Sequence, residues 1–167
     1  LLCLFGYSYA KRFTVLAHFW LGAALMLAPV AAWVAIRPVF DPAPLLLGGA
    51  VLLWVAGFDI IYACQDVEFD RLQRLHSVPA RFGVRGALRA AAACHFGTVG
   101  LLLGVPLVYD GFGPLYVAGV LGITALLVYE HALVKPDDLA RVNQAFFHVN
   151  AVVSLGLLVV GVLDLLL

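Results

Sequence analysis

The sequence is short of charge: Lys, Arg, Asp and Glu together make up 12% of its 167 residues, against roughly a quarter in soluble domains. Hydrophobic residues make up 64% and the mean hydropathy is +1.04, too apolar for a soluble globular surface, so the chain belongs to the membrane class. Cysteine is scarce as well. Cys3, Cys64 and Cys94 stand singly with no Cys-x-x-Cys pair, which excludes a thiolate zinc site and a disulfide framework and leaves buried free thiols. There is no glycine-rich phosphate loop and no internal repeat, and AAAACHFG (90–97) is a small-residue helix. His18, His95, His131 and His148 lack paired metal-ligand spacing and are expected to pack helices, with His148 and Asn150 able to hydrogen-bond between them. The net charge is zero, so only the distribution of charge along the chain is informative.

Long apolar runs dominate what is present. Five stretches, roughly 14–36, 44–64, 87–109, 114–134 and 145–167, reach the ~20 residues that cross a bilayer as helix. A sixth run, at 1–9, starts in mid-stretch at Leu1 without the flanks of a signal peptide. It reads as the tail of another span, and the chain as a fragment of a longer protein. The expected fold is all-α: a multi-span transmembrane bundle of five complete spans plus the end of another, forming one domain over 1–167. IRPVFDPAP (36–44) and YDGFGP (109–114) carry turn signals, and VKPDDLARVN (134–143) reads as a proline-initiated helix start with acids in its first turn. GLLLG (100–104) and the other glycines are expected to let helices approach closely, and Trp20, Trp33 and Trp54 to pack or sit at the membrane interface.

Alternating spans place Lys11, Arg12, Arg71, Arg74, Arg81, Arg85, Arg89, Lys135 and Arg141 on one side, nine of the ten basic residues, with Arg37 alone on the other. That asymmetry predicts the basic side to be cytoplasmic. On the same side, the uncharged run 45–58 enters DIIYACQDVEFD (59–70), four acids in twelve residues.

On a helix, Asp59, Tyr62, Asp66 and Asp70 are spaced 3, 4 and 4 and share one face. Asp59 and Asp70 lie roughly 16 Å apart along the axis, too far for one metal ion. Asp66 and Asp70, one turn apart, can converge on a single Mg²⁺, and Glu68 points elsewhere. Like charges at this spacing repel, so a basic side chain or a metal must compensate them. A salt-bridged cap without chemistry is the simpler possibility. The other is a functional site, because acids at a membrane edge are costly. Paired carboxylates for Mg²⁺, basic residues from separate loops and an apolar surround together suit a lipid diphosphate. The metal and cations hold its phosphates, and the helices shelter its hydrocarbon tail.

DIIYACQDVEFD resembles the second aspartate-rich motif, D-x-x-Y-A-x-x-D-x-x-x-D, of the UbiA-type intramembrane aromatic prenyltransferases. HSVPARFG (76–83) resembles that family's K-S-T-A-x-R-F-G segment, and YSYAKRFT (7–14) its Y-x-x-x-K-R-x-T segment. YEHALVKPDDLARVNQAFFHVN (129–150) resembles its eighth-to-ninth connection, most of all in the 4-hydroxybenzoate polyprenyltransferase branch. The resemblance implies spans four to nine of a nine-helix fold in a bacterial plasma membrane, with a cytoplasmic active site. It implies Mg²⁺-dependent transfer from polyprenyl diphosphate to a small aromatic acceptor, 4-hydroxybenzoate, on the way to a quinone. The partners it implies are those two substrates and the lipid bilayer, with no nucleic acid. Asp66 and Asp70 would hold Mg²⁺, with Asp59 and Tyr62 near the acceptor and the reacting carbon. Lys11 and Arg81 would contact the diphosphate, joined by Arg12 and His76.

Two departures stand out. The first motif of the family, N-D-x-x-D-x-x-x-D, is not in these residues, so the fragment alone is expected to be inactive. Arg74, Leu75, His76, Ser77 and Val78 replace the usual Gly-x-Lys-Ser-Thr, a variant that also points to a futalosine-type menaquinone precursor as acceptor. A transporter is the alternative from another class; it calls for acids near the membrane midplane on broken helices, not at one end beside arginines.

Overall fold

The computed structural model of the chain describes Gly6, Tyr7 and residues 9–167; Cys3 and most of the expected span tail lie outside the described residues. Among the described residues five long helical segments follow one another: Ala17–Ile36, Pro42–Leu72, Val78–Leu107, Pro114–Leu133 and Val142–Leu166, of 20 to 31 residues. At ~1.5 Å per residue even the shortest is ~30 Å long, enough to cross a bilayer. Among the described residues the only β-pairing is an isolated bridge between Lys135 and Asp138.

Helix α1 (Ala17–Ile36) packs along α2 (Pro42–Ala63), and α2 packs in turn along α4 (Val78–Gly104). The α1/α2 contact depends on a glycine: a Cβ on Gly22 would collide with the backbone carbonyl of Leu52. At the α2/α4 contact, a Cβ on Gly57 would collide with the His95 ring. The glycines of GLLLG do not act this way. Gly100 has nothing within 4 Å of an added Cβ, and Gly104 would make only an ordinary 3.7 Å contact with Leu46. The sequence pattern marks small residues but not the direction each one faces.

Local chemistry sets the helix starts. Asp41 caps α2, accepting from the Ala43 N–H at 2.8 Å, with Pro42 in the first turn, where a missing N–H costs nothing. Ser77 caps α4 in the same way, accepting from the Ala80 N–H at 3.2 Å. That cap lies well ahead of the expected start near residue 87. The basic stretch 78–86 is therefore helical, bent where Gly83 takes φ 71° and ψ 169°. Polarity hides these turns from a hydropathy reading.

Helix α2 continues through a 3₁₀ turn, Cys64–Asp66, into α3 (Val67–Leu72). Beyond α4 come α5 (Pro114–Leu133) and α6 (Asn150–Leu166), which pack together. A short α-turn, Val142–Gln144, and a π-helical stretch, Ala145–Val149, lead into α6. The stretch 134–143 does not open as the expected helix. Lys135 and Asp138 exchange backbone hydrogen bonds, and the Asp138 carboxylate accepts from the Ala140 N–H at 3.0 Å, so side chain and bridge satisfy the backbone as a turn. Trp54 Nε1 donates to Asn150 Oδ1 at 3.0 Å, the expected interhelical bond from Asn150; His148 makes none among the described residues. Cys64 and Cys94 are buried free thiols.

Candidate active site

The acid-bearing stretch is not one uniform helical face. The 3₁₀ turn at Cys64–Asp66 turns each residue further than an α-helix does and shifts the register between Asp59 and Asp70. Asp59 and Asp70 are buried at 9% and 1% exposure, Tyr62 is half-buried, and Asp66 is exposed with no partner among the described residues. Asp66 therefore does not share the buried environment of the other two acids. Glu68 is exposed, as its position predicts.

Each buried acid has its own compensation. Asp70 Oδ2 lies 3.4 Å from Lys11 Nζ, a pair with 2% and 27% side-chain exposure. Asp59 Oδ2 takes two contacts, His18 Nδ1 at 2.7 Å and the Tyr7 hydroxyl at 3.4 Å. His18 is fully buried on α1, and its Nε2 accepts from the Val78 N–H at 3.4 Å. A ring nitrogen that accepts carries no proton, so the proton is on Nδ1 and His18 donates to Asp59. One neutral imidazole thus ties α1, the acid of α2 and the first residue of α4. Asp59 Oδ1 has no partner among the described residues, which leaves that oxygen free to accept from a bound molecule.

The cationic residues assemble at the same end. The His76 N–H donates to the Lys11 carbonyl at 2.5 Å, joining the segment before α1 to the turn between α3 and α4. A cleft of about 300 Å³ is lined by Arg71, Arg74, His76 and Arg81, together with Val15 and Ser77. A neighbouring cleft of about 450 Å³ is lined by Arg12, Phe69, Gln73 and Arg74. Arg12 lies over the Tyr9 ring at 5.5 Å, and Arg81 over the Phe82 ring at 5.7 Å. Arg71 is held by its own bond, Nε to the Ala80 carbonyl at 3.2 Å. The structure brings Lys11 to Asp70 and places His76 and Arg81 on one cleft and Arg12 on the other.

An apolar cavity of about 520 Å³ opens between α1, α2 and the start of α6, lined by Leu25, Val51, Phe58 and Phe146 among others. Tyr62 packs on Phe146 with ring centroids 4.5 Å apart, and Phe146 also meets Phe58 at 5.3 Å. Two members of this aromatic wall, Phe58 and Tyr62, flank Asp59 in the sequence of α2. Along α2 the cavity-lining Val51, Trp54, Val55 and Phe58 come first and Asp59 and Tyr62 next, and the two cationic clefts lie at the far end.

Two clusters escaped the sequence reading. His18 is 41 residues from Asp59, and no local spacing could join them. On the α4/α5 interface, His95 Nδ1 lies 3.0 Å from His131 Nε2 and 3.7 Å from Glu130 Oε2. Glu130 is fully buried, and neither of its carboxyl oxygens has a hydrogen-bond partner among the described residues. The E-H pair at 130–131 was the only local signal. Among the described residues no three His, Cys, Asp or Glu side chains are grouped to cage a metal.

Residues 1–152 match the profile of the UbiA prenyltransferase family. The chain is 28% identical over 145 residues to the 4-hydroxybenzoate octaprenyltransferase of Aromatoleum aromaticum, covering 87% of this chain and 49% of that protein. It is 30% identical over 158 residues to that of Cronobacter sakazakii, covering 92% and 51%. A UbiA homolog from Aeropyrum pernix K1, solved in the apo state, superposes with a TM-score of 0.75 and 30% identity, over 94% of this chain and 60% of that one. The chain thus spans about half the length of the relatives it matches. From its membrane-capable helices, its aspartate-rich stretch 59–70 and these matches, the chain belongs to the UbiA prenyltransferase family.

Proposed function

We propose that the whole protein transfers a polyprenyl group from polyprenyl diphosphate to a small aromatic acceptor, 4-hydroxybenzoate, at the cytoplasmic face of a bacterial inner membrane. The observation that carries this reading is the placement of two differently compensated buried acids, Asp59 and Asp70, between an apolar cavity and cationic clefts. A lipid diphosphate has both halves, a tail for the cavity and phosphates for the clefts. The names of the relatives supply the acceptor.

The donor set suits Mg²⁺, which is held by one or two carboxylates plus substrate phosphates and retained waters. Asp66 offers an exposed carboxylate with no partner among the described residues, and Asp70 offers the oxygen that Lys11 does not occupy. Bound there, the ion would neutralise charge on the diphosphate leaving group as a Lewis acid. Lys11, Arg12, His76 and Arg81 hold the phosphate oxygens through charged hydrogen bonds. As the allylic C–O bond breaks, Tyr62 and Phe146 face the cationic carbon with their ring electrons and exclude water. The acceptor ring forms the new C–C bond and loses its proton to Asp59 Oδ1, while Oδ2 stays fixed by His18 and Tyr7.

The acids at one end beside arginines favour this reading over ion-coupled transport. The experiment is prenyl transfer by the full-length protein with 4-hydroxybenzoate, and with an aminodeoxyfutalosine as competing acceptor. Asp66→Ala and Asp70→Ala should each abolish turnover, and the 167-residue chain alone should show none. Wild-type rates in either variant would end the assignment.

A further inference from the structure

Arg74 has the only left-handed backbone of a non-glycine residue among the described residues, with φ 54°. The cause is the way α3 ends. The Leu75 N–H donates to the Asp70 carbonyl at 2.7 Å and the Arg74 N–H to the Arg71 carbonyl at 3.2 Å, a Schellman closure with Arg74 at its left-handed position. Glycine is the usual occupant there, because a Cβ crowds the adjoining carbonyl. The Arg74 side chain offsets none of this strain, since it is exposed and makes no hydrogen bond or ion pair with a described residue. It lines both cationic clefts, beside Arg12 in one and beside Arg71, His76 and Arg81 in the other, so its neighbours repel it as well. Backbone and electrostatics both oppose an arginine here in the free protein. Strain of this kind persists where a ligand uses the side chain.

We propose that Arg74 is a phosphate-binding residue, its guanidinium gripping the diphosphate of the prenyl donor between the two clefts. The inference rests on the prenyl-transfer reading. An anion reverses the repulsion among the clustered cations, and a planar guanidinium can hold two phosphate oxygens at once.

The test uses the full-length protein in phosphatidylcholine nanodiscs with Mg²⁺, titrated with pyrophosphate and with a polyprenyl diphosphate. Arg74→Gly relieves the backbone and removes the charge, so its unfolding midpoint should rise by a few degrees while both ligands bind about tenfold more weakly. Arg74→Gln keeps the strain and removes the charge; it should lose the same tenfold without the gain in midpoint. Wild-type binding by the Gln variant would overturn the proposal, because the Gly effect would then come from the backbone. So would a loss of prenyl diphosphate binding confined to nanodiscs in which phosphatidylglycerol is added, with pyrophosphate binding intact, which would assign the guanidinium to lipid head groups. Failure of the wild-type protein to bind either diphosphate would instead sink the functional reading on which this rests.

Discussion

His18→Leu tests the joint at the centre of the site. Leucine fills similar space, so the cost falls on the hydrogen bonds. The 2.7 Å bond from Nδ1 to the Asp59 carboxylate is of the charged class, about 1.5–3 kcal/mol, and the longer 3.4 Å bond from the Val78 N–H adds about 0.5 kcal/mol. The loss is about 2–3.5 kcal/mol, because among the described residues Asp59 keeps only the 3.4 Å contact with Tyr7. If that free energy falls wholly on the placement of Asp59, turnover drops roughly thirty- to three-hundred-fold. His18→Asn is the matching control: its amide nitrogen overlays Nδ1 and can still donate to Asp59, but it cannot reach Val78. The assay is kcat and KM in the full-length protein with an unfolding midpoint for each variant. Leucine should lower kcat and leave KM for the prenyl diphosphate nearly unchanged, since the proposed function puts the phosphates at the Lys11 end. Asparagine should recover most of the rate. A leucine variant with wild-type kcat and stability would refute the reasoning, and so would an asparagine variant as impaired as leucine. Nitrogen-15 NMR of labelled His18 offers an independent check, and a proton found on Nε2 would contradict the tautomer assigned from Val78.

Gly57→Ala drives a methyl group into the His95 ring with the Ala91 carbonyl 3.3 Å away, and should cost about 1–3 kcal/mol as an overpacked contact. Denaturation in detergent measures this, and a change within experimental error would mean that α4 can slide away from α2. Glu130→Leu should be neutral or stabilising by about 1–3 kcal/mol, because it replaces a buried carboxyl whose oxygens have no described hydrogen-bond partner. Marked destabilisation in the same measurement would show that the 3.7 Å contact with His95 is a strong ion pair.

The spans were legible because hydropathy is additive along the chain: α1, α5 and the α2 run each announce themselves in twenty consecutive residues. The acids of 59–70 were legible because charge against an apolar run needs an explanation. What stayed hidden depends on tertiary placement or on backbone detail. His18 acquires its role only when α1 lies against α2. The 3₁₀ turn that separates the environments of Asp66 and Asp70 leaves the 3-4-4 spacing intact in sequence while altering it in space. The first turns of α4 were hidden for another reason, since Arg81 and Arg85 mask helix in any reading that searches for apolar runs. The Arg85–Asp137 pair, at 3.7 Å and exposed at both ends, adds little to hold them.

The pairing of Lys11 with Asp70 decides whether the acid end is a structural cap or a site in waiting. Asp70 is 2% exposed at its side chain and has one described cationic partner, so Lys11→Met should strand a carboxylate and cost about 2 kcal/mol, less than a wholly buried pair because Lys11 is 27% exposed. Asp70→Asn in the same background removes the stranded charge, and the double variant should recover most of that stability. Activity should not follow. A pure cap predicts that stability and turnover return together, whereas a site needs the carboxylate of Asp70 for the metal and the ammonium of Lys11 for the phosphates. The double variant should therefore unfold near the wild-type midpoint and remain at least a hundredfold slower, at about 1.4 kcal/mol per tenfold for two lost charged contacts. Restored turnover would place Lys11 and Asp70 in the scaffold and leave the phosphates to the arginine clefts alone.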